Sequence, residues 1–159
     1  MNSSPELEAL GSTWHGEIPL TAAMGLEPLT FDGETLVIGA DLAPNVNVHG
    51  TAFAGSLYAI AALSGWGLVH LCLQRAGVDG SIVIADGHIR YLKPVAERIE
   101  ARCTMPGELL AAALEDLAGP SGKARLPLHA VIEADGRVAA EFDGVYAVKR
   151  RPAPQDSGR

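Results

Sequence analysis

One long apolar segment constrains the fold of this chain more than any other feature. No Asp, Glu, Lys or Arg occurs between Asp41 and Arg75. Within that span, the stretch NVHGTAFAGSLYAIAALSGWGLVHLCLQ (residues 47–74) opens with Asn, a Val and His-Gly, and then stays apolar for several helical turns. About 20 apolar residues can span a bilayer as a helix. The alternative is a helix buried on every side in a protein core.

The details of this segment favour the buried helix. Four glycines interrupt it, at Gly50, Gly55, Gly65 and Gly67, and further polar groups come from Thr51, Ser56, Ser64 and His70. No basic flank is present to fix an orientation across a membrane. The many alanines and glycines would let a sheet approach the helix closely. We therefore predict a core helix and no membrane partner.

The segments around this helix predict one antiparallel sheet. Alternating or β-branched residues predict strands over residues 34–42, 81–95, 97–105, 123–134 and 137–149. Asp135-Gly136 predicts a hairpin between the last two strands, and Pro127 predicts an edge or a bulge. The stretch GELLAAALEDLAGP predicts a short amphipathic helix. This order predicts an α+β hotdog fold, in which an antiparallel sheet wraps around one long central helix.

The chain length of 159 residues indicates a single domain with extensions. Residues 1–17 are predicted to form an N-terminal extension with a short helix, because Pro5 follows Ser4. Residues 18–149 are predicted to form the hotdog domain, beginning with a helical turn or two that end at Gly25. Residues 150–159, polar and proline-containing, are predicted to be a disordered tail.

Composition narrows the class of partner. The net charge of −7 argues against a nucleic-acid partner, which needs a basic face. Charged residues make up 19% of the chain, below the usual level of about 25%, as expected if a second subunit covers part of the surface. The N-terminus lacks the features of a secretory signal. Cys72 and Cys103 have neither a metal nor a disulfide spacing, so we expect a cytoplasmic protein without a metal site.

The stretches NVHGTAFAGSLYAIAALSGWG and IVIADGHIRYLKPV together resemble the hotdog thioesterase domain of YiiD-type acetyltransferases, which also occurs as a stand-alone protein. The resemblance runs from about Ile18 to about Lys149. It implies hydrolysis of acyl thioesters of coenzyme A or acyl carrier protein, with no separate cofactor. It also implies an obligate homodimer, or a higher oligomer, with two sites at the subunit interface.

A wider resemblance concerns the start of the helix. In the phenylacetate-pathway type of hotdog thioesterase, the helix opens with Asn-x-x-Gly-Thr-x-His-Gly-Gly and carries an acid about two turns later. The matching positions here are Asn47, Gly50, Thr51 and Gly55. The departures are Phe53 for the His, Ala54 for a Gly and Ala62 for the acid. Two hypotheses follow: a hydrolase whose water is activated from elsewhere, and a non-catalytic acyl-thioester or acyl-carrier-binding module. Hydration or dehydration of a thioester is a third possibility, but that chemistry usually needs a His and a carboxylate facing the same carbon, and the helix offers no such carboxylate.

The helix start is the candidate site for the thioester carbonyl. The first N–H groups of a helix have no intrahelical partner, and the helix dipole adds partial positive charge there. If Phe53, Ala54 and Gly55 form the first turn, their N–H groups can bind the oxyanion, with Gly50 in the same glycine-rich opening. The alternative is that these glycines serve only packing and a tight turn.

The group that activates water must then lie outside the helix, and we predict Asp86 with His88. Residues i and i+2 of a strand face the same side, so these two side chains point together. They interrupt an apolar run, where a charge is costly unless it is paired. Asn47 would position the water. The alternatives are a strand whose second half faces solvent, with Arg90 on its polar side, and an Asn47 that only closes the turn before the helix.

Other side chains are candidates for binding the substrate. His49 and Phe53 flank the helix start, and Leu57 with Tyr58 could line an apolar slot for the acyl chain. Tyr58 could equally be a core or dimer-contact aromatic residue. The phosphates of coenzyme A require basic residues near the mouth of the site. The basic candidates are Arg90, Lys93 and Arg98.

Overall fold

The computed structural model describes residues 4–152. Its helices are α1 (Pro5–Glu17), α2 (Pro19–Ala23), α3 (Ala54–Arg75) and α4 (Gly107–Ala118). Its strands are β1 (Leu26–Phe31), β2 (Thr35–Ala40), β3 (Gly80–Tyr91), β4 (Ile99–Thr104), β5 (Lys123–Ala134) and β6 (Arg137–Arg150). The strands form one sheet in the order β1-β2-β4-β5-β6-β3, and every neighbouring pair is antiparallel. The predicted α+β class is confirmed.

Helix α3 is the central helix that the sequence predicted. It is long and apolar enough to cross a membrane, but 61% of its most apolar window is buried within the protein. Strands β2 to β6 all contact it. The approach is closest at Gly65, where a Cβ atom would lie 2.2 Å from the Tyr146 hydroxyl oxygen. The Tyr146 hydroxyl donates a hydrogen bond to the Ala62 carbonyl, 2.7 Å away. The sheet wraps the helix in the predicted hotdog arrangement.

The N-terminal helix belongs to the same core. Leu7, Leu10 and Trp14 of α1 are buried in one cluster with the side chains of α3 and the sheet. Gly67 of α3 makes room for the Trp14 ring, because a Cβ atom there would lie 2.6 Å from it. From Pro5 onward, the segment predicted as an extension is therefore packed against the domain.

One strand of the sheet was not predicted from the sequence. Residues 26–31 form β1, which pairs with β2 at the edge of the sheet, so the sheet has six strands rather than five. Pro28 and a register shift between Pro28 and Thr30 interrupt the regular alternation of this strand. The preceding helix ends near Gly25 as predicted, with Gly25 at φ 65°. Proline within an edge strand is tolerated because its missing N–H costs no ladder bond on the open side.

The predicted hairpin between β5 and β6 is confirmed. Asp135 and Gly136 have φ values of 51° and 67°, the left-handed conformation that a tight two-residue turn requires. Pairing of β5 with β4 stops at His129, so Pro127 lies at an edge position as predicted. Strand β6 extends to Arg150, the first residue of the predicted tail. Residues 153–159 of that tail lie outside the described residues.

Candidate active site

A short loop before α3 fixes where the helix begins. The buried Asn45 side chain donates hydrogen bonds to the carbonyls of Met24 and Asp41, each 2.8 Å away. The Asn45 carbonyl accepts a hydrogen bond from the Phe53 N–H at 2.7 Å. Phe53 is therefore the N-cap residue, with extended backbone, and Ala54 is the first helical residue.

Three backbone N–H groups at the start of α3 lack acceptors. The first intrahelical bond runs from the Leu57 N–H to the Phe53 carbonyl at 3.0 Å, and no side chain caps the helix. Within the described chain, the N–H groups of Ala54, Gly55 and Ser56 are left without a partner. This set differs from the predicted one, because the Phe53 N–H is already donated to Asn45. The helix dipole places partial positive charge at the same point.

The Phe53 ring lies directly over this helix start. A Cβ atom at Gly55 would come within 2.4 Å of the ring, so only glycine permits this contact. The Phe53 residue remains 54% exposed. The glycine that was predicted to admit substrate to the backbone thus also makes room for an aromatic side chain of the same chain.

A groove of about 350 Å³ opens beside the helix start. Its second wall is the segment that follows β3, and the Tyr91 hydroxyl joins the two walls by donating to the Ala54 carbonyl at 2.9 Å. Burial raises the pKa of Tyr91. The lining is mostly apolar, and it includes Ala52, Ala54, Leu57, Leu92, Lys93 and Pro94. Leu57 therefore lines a groove at the candidate site, as predicted.

The structure shows that Asn47 closes the loop before the helix. Its Oδ1 accepts hydrogen bonds from the N–H groups of His49 (2.8 Å) and Thr51 (3.2 Å), and its Nδ2 donates to Thr51 Oγ1 at 3.0 Å. Gly50 has a φ of 76°, and its N–H donates to the Asn47 carbonyl, so it is not a free donor for an oxyanion. The His49 residue is exposed. A direct contact of Asn47 or His49 with substrate stays a prediction.

Asp86 and His88 lie together, as predicted, but on the outer face of the sheet. The inward-facing Ile84 is followed by a β-bulge, so the alternation shifts and Asp86 points outward. Both residues are exposed, and Asp86 Oδ1 accepts a hydrogen bond from the Gly87 N–H at 2.8 Å. The exposure of the pair matches the solvent-facing alternative, and within one chain the sheet separates it from the start of α3.

The outer face continues as a row of polar side chains. His88 lies opposite Asp143, which is 2.7 Å from the Nδ1 atom of His129. One row further, Arg90 forms an ion pair with Glu141. This is the solvent-facing alternative for the strand, and the pairing of Arg90 weakens its candidacy for binding phosphate. Among residues 4–152, no three His, Cys, Asp or Glu side chains come close enough to hold a metal ion.

Arg98, another sequence candidate for phosphate, is also occupied by carboxylates. It pairs with Glu27 at 3.0 Å and with Asp41. Tyr58 of α3 packs against the inner face of the sheet, edge-on to the Phe142 ring, with ring centroids 5.2 Å apart. Tyr58 is thus an aromatic packing residue at the border of the core.

His70, which was not among the candidates predicted from the sequence, lines a cavity of about 500 Å³ between α1, α3 and the start of β3. Its ring stacks on Trp66 at 5.0 Å between centroids. Burial lowers the pKa of His70, while the negative charge of Glu17 acts in the opposite direction. The sequence carried a signal for His70, because Tyr58, Ala62, Trp66 and His70 recur every four residues and so share one face of α3. In the structure this face is only half-buried.

The six-stranded antiparallel sheet around one long central helix defines a hotdog protein. The family model described as "Putative thioesterase (yiiD_Cterm)" matches residues 7–150, and the chain belongs to that family. A Shewanella oneidensis protein titled a "putative thioesterase" is 41% identical, with a TM-score of 0.80 over 91% of this chain and 97% of that chain. A Chlorobaculum tepidum protein of unknown function is 34% identical, with a TM-score of 0.87 over 91% and 94%.

A more distant structure supports the fold alone. A thioesterase from Haemophilus influenzae is 16% identical and has a TM-score of 0.72, covering 98% of this chain and 96% of that chain. The predicted resemblance to the YiiD-type thioesterase domain and the hotdog fold are therefore confirmed.

Proposed function

We propose that this protein hydrolyses acyl thioesters carried by coenzyme A or acyl carrier protein. The observation that carries the proposal is the set of free N–H groups of Ala54, Gly55 and Ser56 at the start of α3, where Ala54 also lines an apolar groove. The thioester carbonyl would lie against these donors, with its acyl chain in the groove. Donors aimed at a developing oxyanion are commonly the largest single contribution to such catalysis.

In this mechanism, water attacks the carbonyl carbon and the oxygen gains negative charge at the helix start. Collapse of the tetrahedral intermediate breaks the C–S bond, releasing a carboxylic acid and a thiol. The role of Asn47 in the proposal is to hold the loop that positions the donors. The role of Asp86 and His88 in activating water, predicted from the sequence, is not included in this proposal, because both residues lie on the other face of the sheet.

Ala54→Pro provides a direct test of the donor set. Proline is favoured at the first helical position, and the extended Phe53 backbone (φ −66°, ψ 133°) suits a residue before proline. The substitution therefore removes one N–H group and keeps the helix. Thiol release from acyl-CoAs of varied chain length should fall in kcat by about 10²–10³-fold. The matched control is Ala54→Ser, which keeps the N–H.

The rival proposal is an acyl-thioester-binding module without chemistry. It is favoured by the absence of a carboxylate on α3 and by the Phe53 ring over the helix start. Saturable binding of acyl-CoA with no thiol release from any carrier would establish this alternative. Turnover that Ala54→Pro does not change would instead overturn the proposed role of the helix start.

We further propose a homodimer formed through β3. This strand has twelve residues and, within the described chain, pairs with β6 alone. Its exposed apolar residues include Val83, Ile84 and Tyr91, and the exposed Leu92 follows directly after it. Long apolar edges normally pair with another strand. Two-fold pairing of β3 with its copy would be antiparallel. It would bring the Trp66–His70 cavity of one subunit towards the helix start of the other. A monomeric mass in light scattering at micromolar concentration would contradict this proposal.

A further inference from the structure

The outer face of the sheet carries a group of three basic side chains near the start of β3. Lys123 on β5 lies directly opposite Lys149 on β6, and Lys149 lies opposite Ser81 on β3. Arg125 lies in the adjacent row. We call Lys123, Arg125 and Lys149 the basic group, and all three are exposed.

This arrangement is unfavourable in the protein alone. Like charges directly opposite each other on neighbouring strands destabilise a sheet. Within the described chain, no carboxylate lies at ion-pair distance from any member of the basic group. Arg90 and Arg98, by contrast, are each held by acidic side chains. In a chain with a net charge of −7, an unneutralised basic group points to an anionic ligand.

The basic group borders a groove of about 650 Å³ with an apolar floor. Val83 and Ala147 lie opposite each other on this floor, and Val83 is 55% exposed. One carboxylate, Asp116, also lines the groove. An apolar floor with cations at its border suits a flat aromatic base that carries phosphate groups.

We propose that this groove binds the nucleotide end of coenzyme A, an adenosine with a 3′-phosphate and a 5′-diphosphate. The inference rests on the proposed thioesterase function and selects coenzyme A as the carrier. The basic group would contact the phosphates, and the adenine would lie on Val83 and Ala147. The sequence candidates Arg90 and Arg98 are unsuited to this role because carboxylates already occupy them.

The proposed dimer brings this groove to the helix start of the other subunit. Within one chain, the groove lies on the outer face of the sheet and the helix start on the inner face, at opposite ends of β3 and about 33 Å apart along the strand. That span is longer than an extended pantetheine arm. Antiparallel pairing of two β3 edges puts Ser81 of one copy beside the Tyr91 end of the other. Lys123 and Lys149 lie at this end of the sheet, so the pantetheine arm would pass around the end of the sheet to the inner face. The nucleotide would then bind to one subunit while the thioester enters the site of its partner.

The binding test uses adenosine 3′,5′-bisphosphate, which contains no thioester. Calorimetry on the wild-type protein should show saturable binding that weakens at least tenfold in the double variant Lys123→Gln/Lys149→Gln. The control is Arg137→Gln, an exposed arginine at the far end of β6, which should bind as the wild type does. The double variant relieves a repulsive pair, so its Tm should be at least that of the wild type. No binding to the wild-type protein would overturn the proposal.

The kinetic test separates this inference from the proposed function. The double variant should raise KM for an acyl-CoA at least tenfold while KM for the matching acyl-pantetheine, which lacks the nucleotide, does not change. Equal KM values of the wild-type protein for the two esters would overturn the inference and leave the hydrolase proposal standing. If the double variant impaired acyl-carrier-protein turnover and spared acyl-CoA, the basic group would belong to a carrier-protein interface, and the inference would be wrong.

Discussion

The two faces of the sheet near β3 and β6 carry opposite kinds of polarity. The outer face presents ionisable side chains in rows, with Asp86 and His88 beside Asp143 and His129. The inner face, which holds α3, presents few ionisable groups and has three free backbone N–H groups at the start of the helix. The side chains that most resemble catalytic groups therefore lie on the opposite side of the sheet from the groove that suits an acyl thioester.

This difference teaches that backbone geometry can form a site that side-chain chemistry does not reveal. The free N–H groups of Ala54, Gly55 and Ser56 arise because the first turn of a helix has no intrahelical acceptors and, within the described residues, no side chain caps it. A row of carboxylates and histidines on the surface, in contrast, is not by itself evidence of a function. Exposed ion pairs are common on protein surfaces and contribute little to stability.

The largest expected effect is a difference in kcat between a variant of the helix start and variants of the outer face of the sheet. Ala54→Pro removes an oxyanion donor, a loss of about 3–4 kcal/mol of transition-state stabilisation. Asp86→Asn and His88→Gln should keep kcat within about threefold, because the sheet lies between them and the helix start. The measurement is kcat for one acyl-CoA with all three variants. A fall in Asp86→Asn that matches Ala54→Pro would make the outer face catalytic.

The second effect concerns stability on the inner face. Gly65→Ala would place a Cβ atom 2.2 Å from the Tyr146 hydroxyl and disturb its hydrogen bond to Ala62. We expect a loss of about 1–3 kcal/mol in the free energy of unfolding, measured in urea. Gly16→Ala in α1 is the control, since among the described residues no atom outside its chain neighbours and its own helix backbone would lie within 4 Å of the added Cβ atom. It should gain about 0.5–1 kcal/mol.

A smaller effect is expected for the ion pair on the outer face. Asp143→Asn removes the carboxylate that lies 2.7 Å from His129 Nδ1, but both side chains are about half exposed or more. The free energy of unfolding at pH 6 should change by no more than about 1 kcal/mol. A loss as large as that of Gly65→Ala would show that this row is structurally essential.

The smallest effect is a pH dependence that arises from His70. Burial lowers the pKa of this residue in the folded state, so the unfolded chain binds the proton at a higher pH. The contribution of neutral His70 to stability is full above about pH 6.5 and is lost as the pH falls through the lowered pKa. Urea unfolding at a series of pH values should show a shallower acid-side decline in His70→Gln. An unchanged slope would indicate that His70 is not desolvated.

Much of the fold could be predicted from the sequence because its signals are local. The uncharged run that contains α3 and the Asp135-Gly136 turn identified the central helix and the last hairpin. Strand β1 was missed because Pro28 and a register shift disturb its alternation.

The candidate site was only partly predictable. The sequence correctly paired Asp86 with His88, but strict alternation from Ile84 would place them on the inner face. The bulge after Ile84 turns both side chains to the outer face. A bulge depends on how the strand pairs with β6, which no local sequence pattern shows. The donor set at the helix start also shifted by one residue, because the hydrogen bond from Phe53 to Asn45 joins a loop to the N-cap.

The most direct test of the central claim is the carbonyl stretching frequency of a bound thioester analogue. The analogue is an acyl-CoA in which CH₂ replaces the sulfur, with ¹³C at the carbonyl, so that it binds without being hydrolysed. Isotope-edited infrared spectra should show a lowered frequency in the wild-type protein and in Asp86→Asn, with a return towards the solution value in Ala54→Pro. A frequency lowered equally in Ala54→Pro, or lowered in the wild type and restored by Asp86→Asn, would contradict polarisation by the helix start.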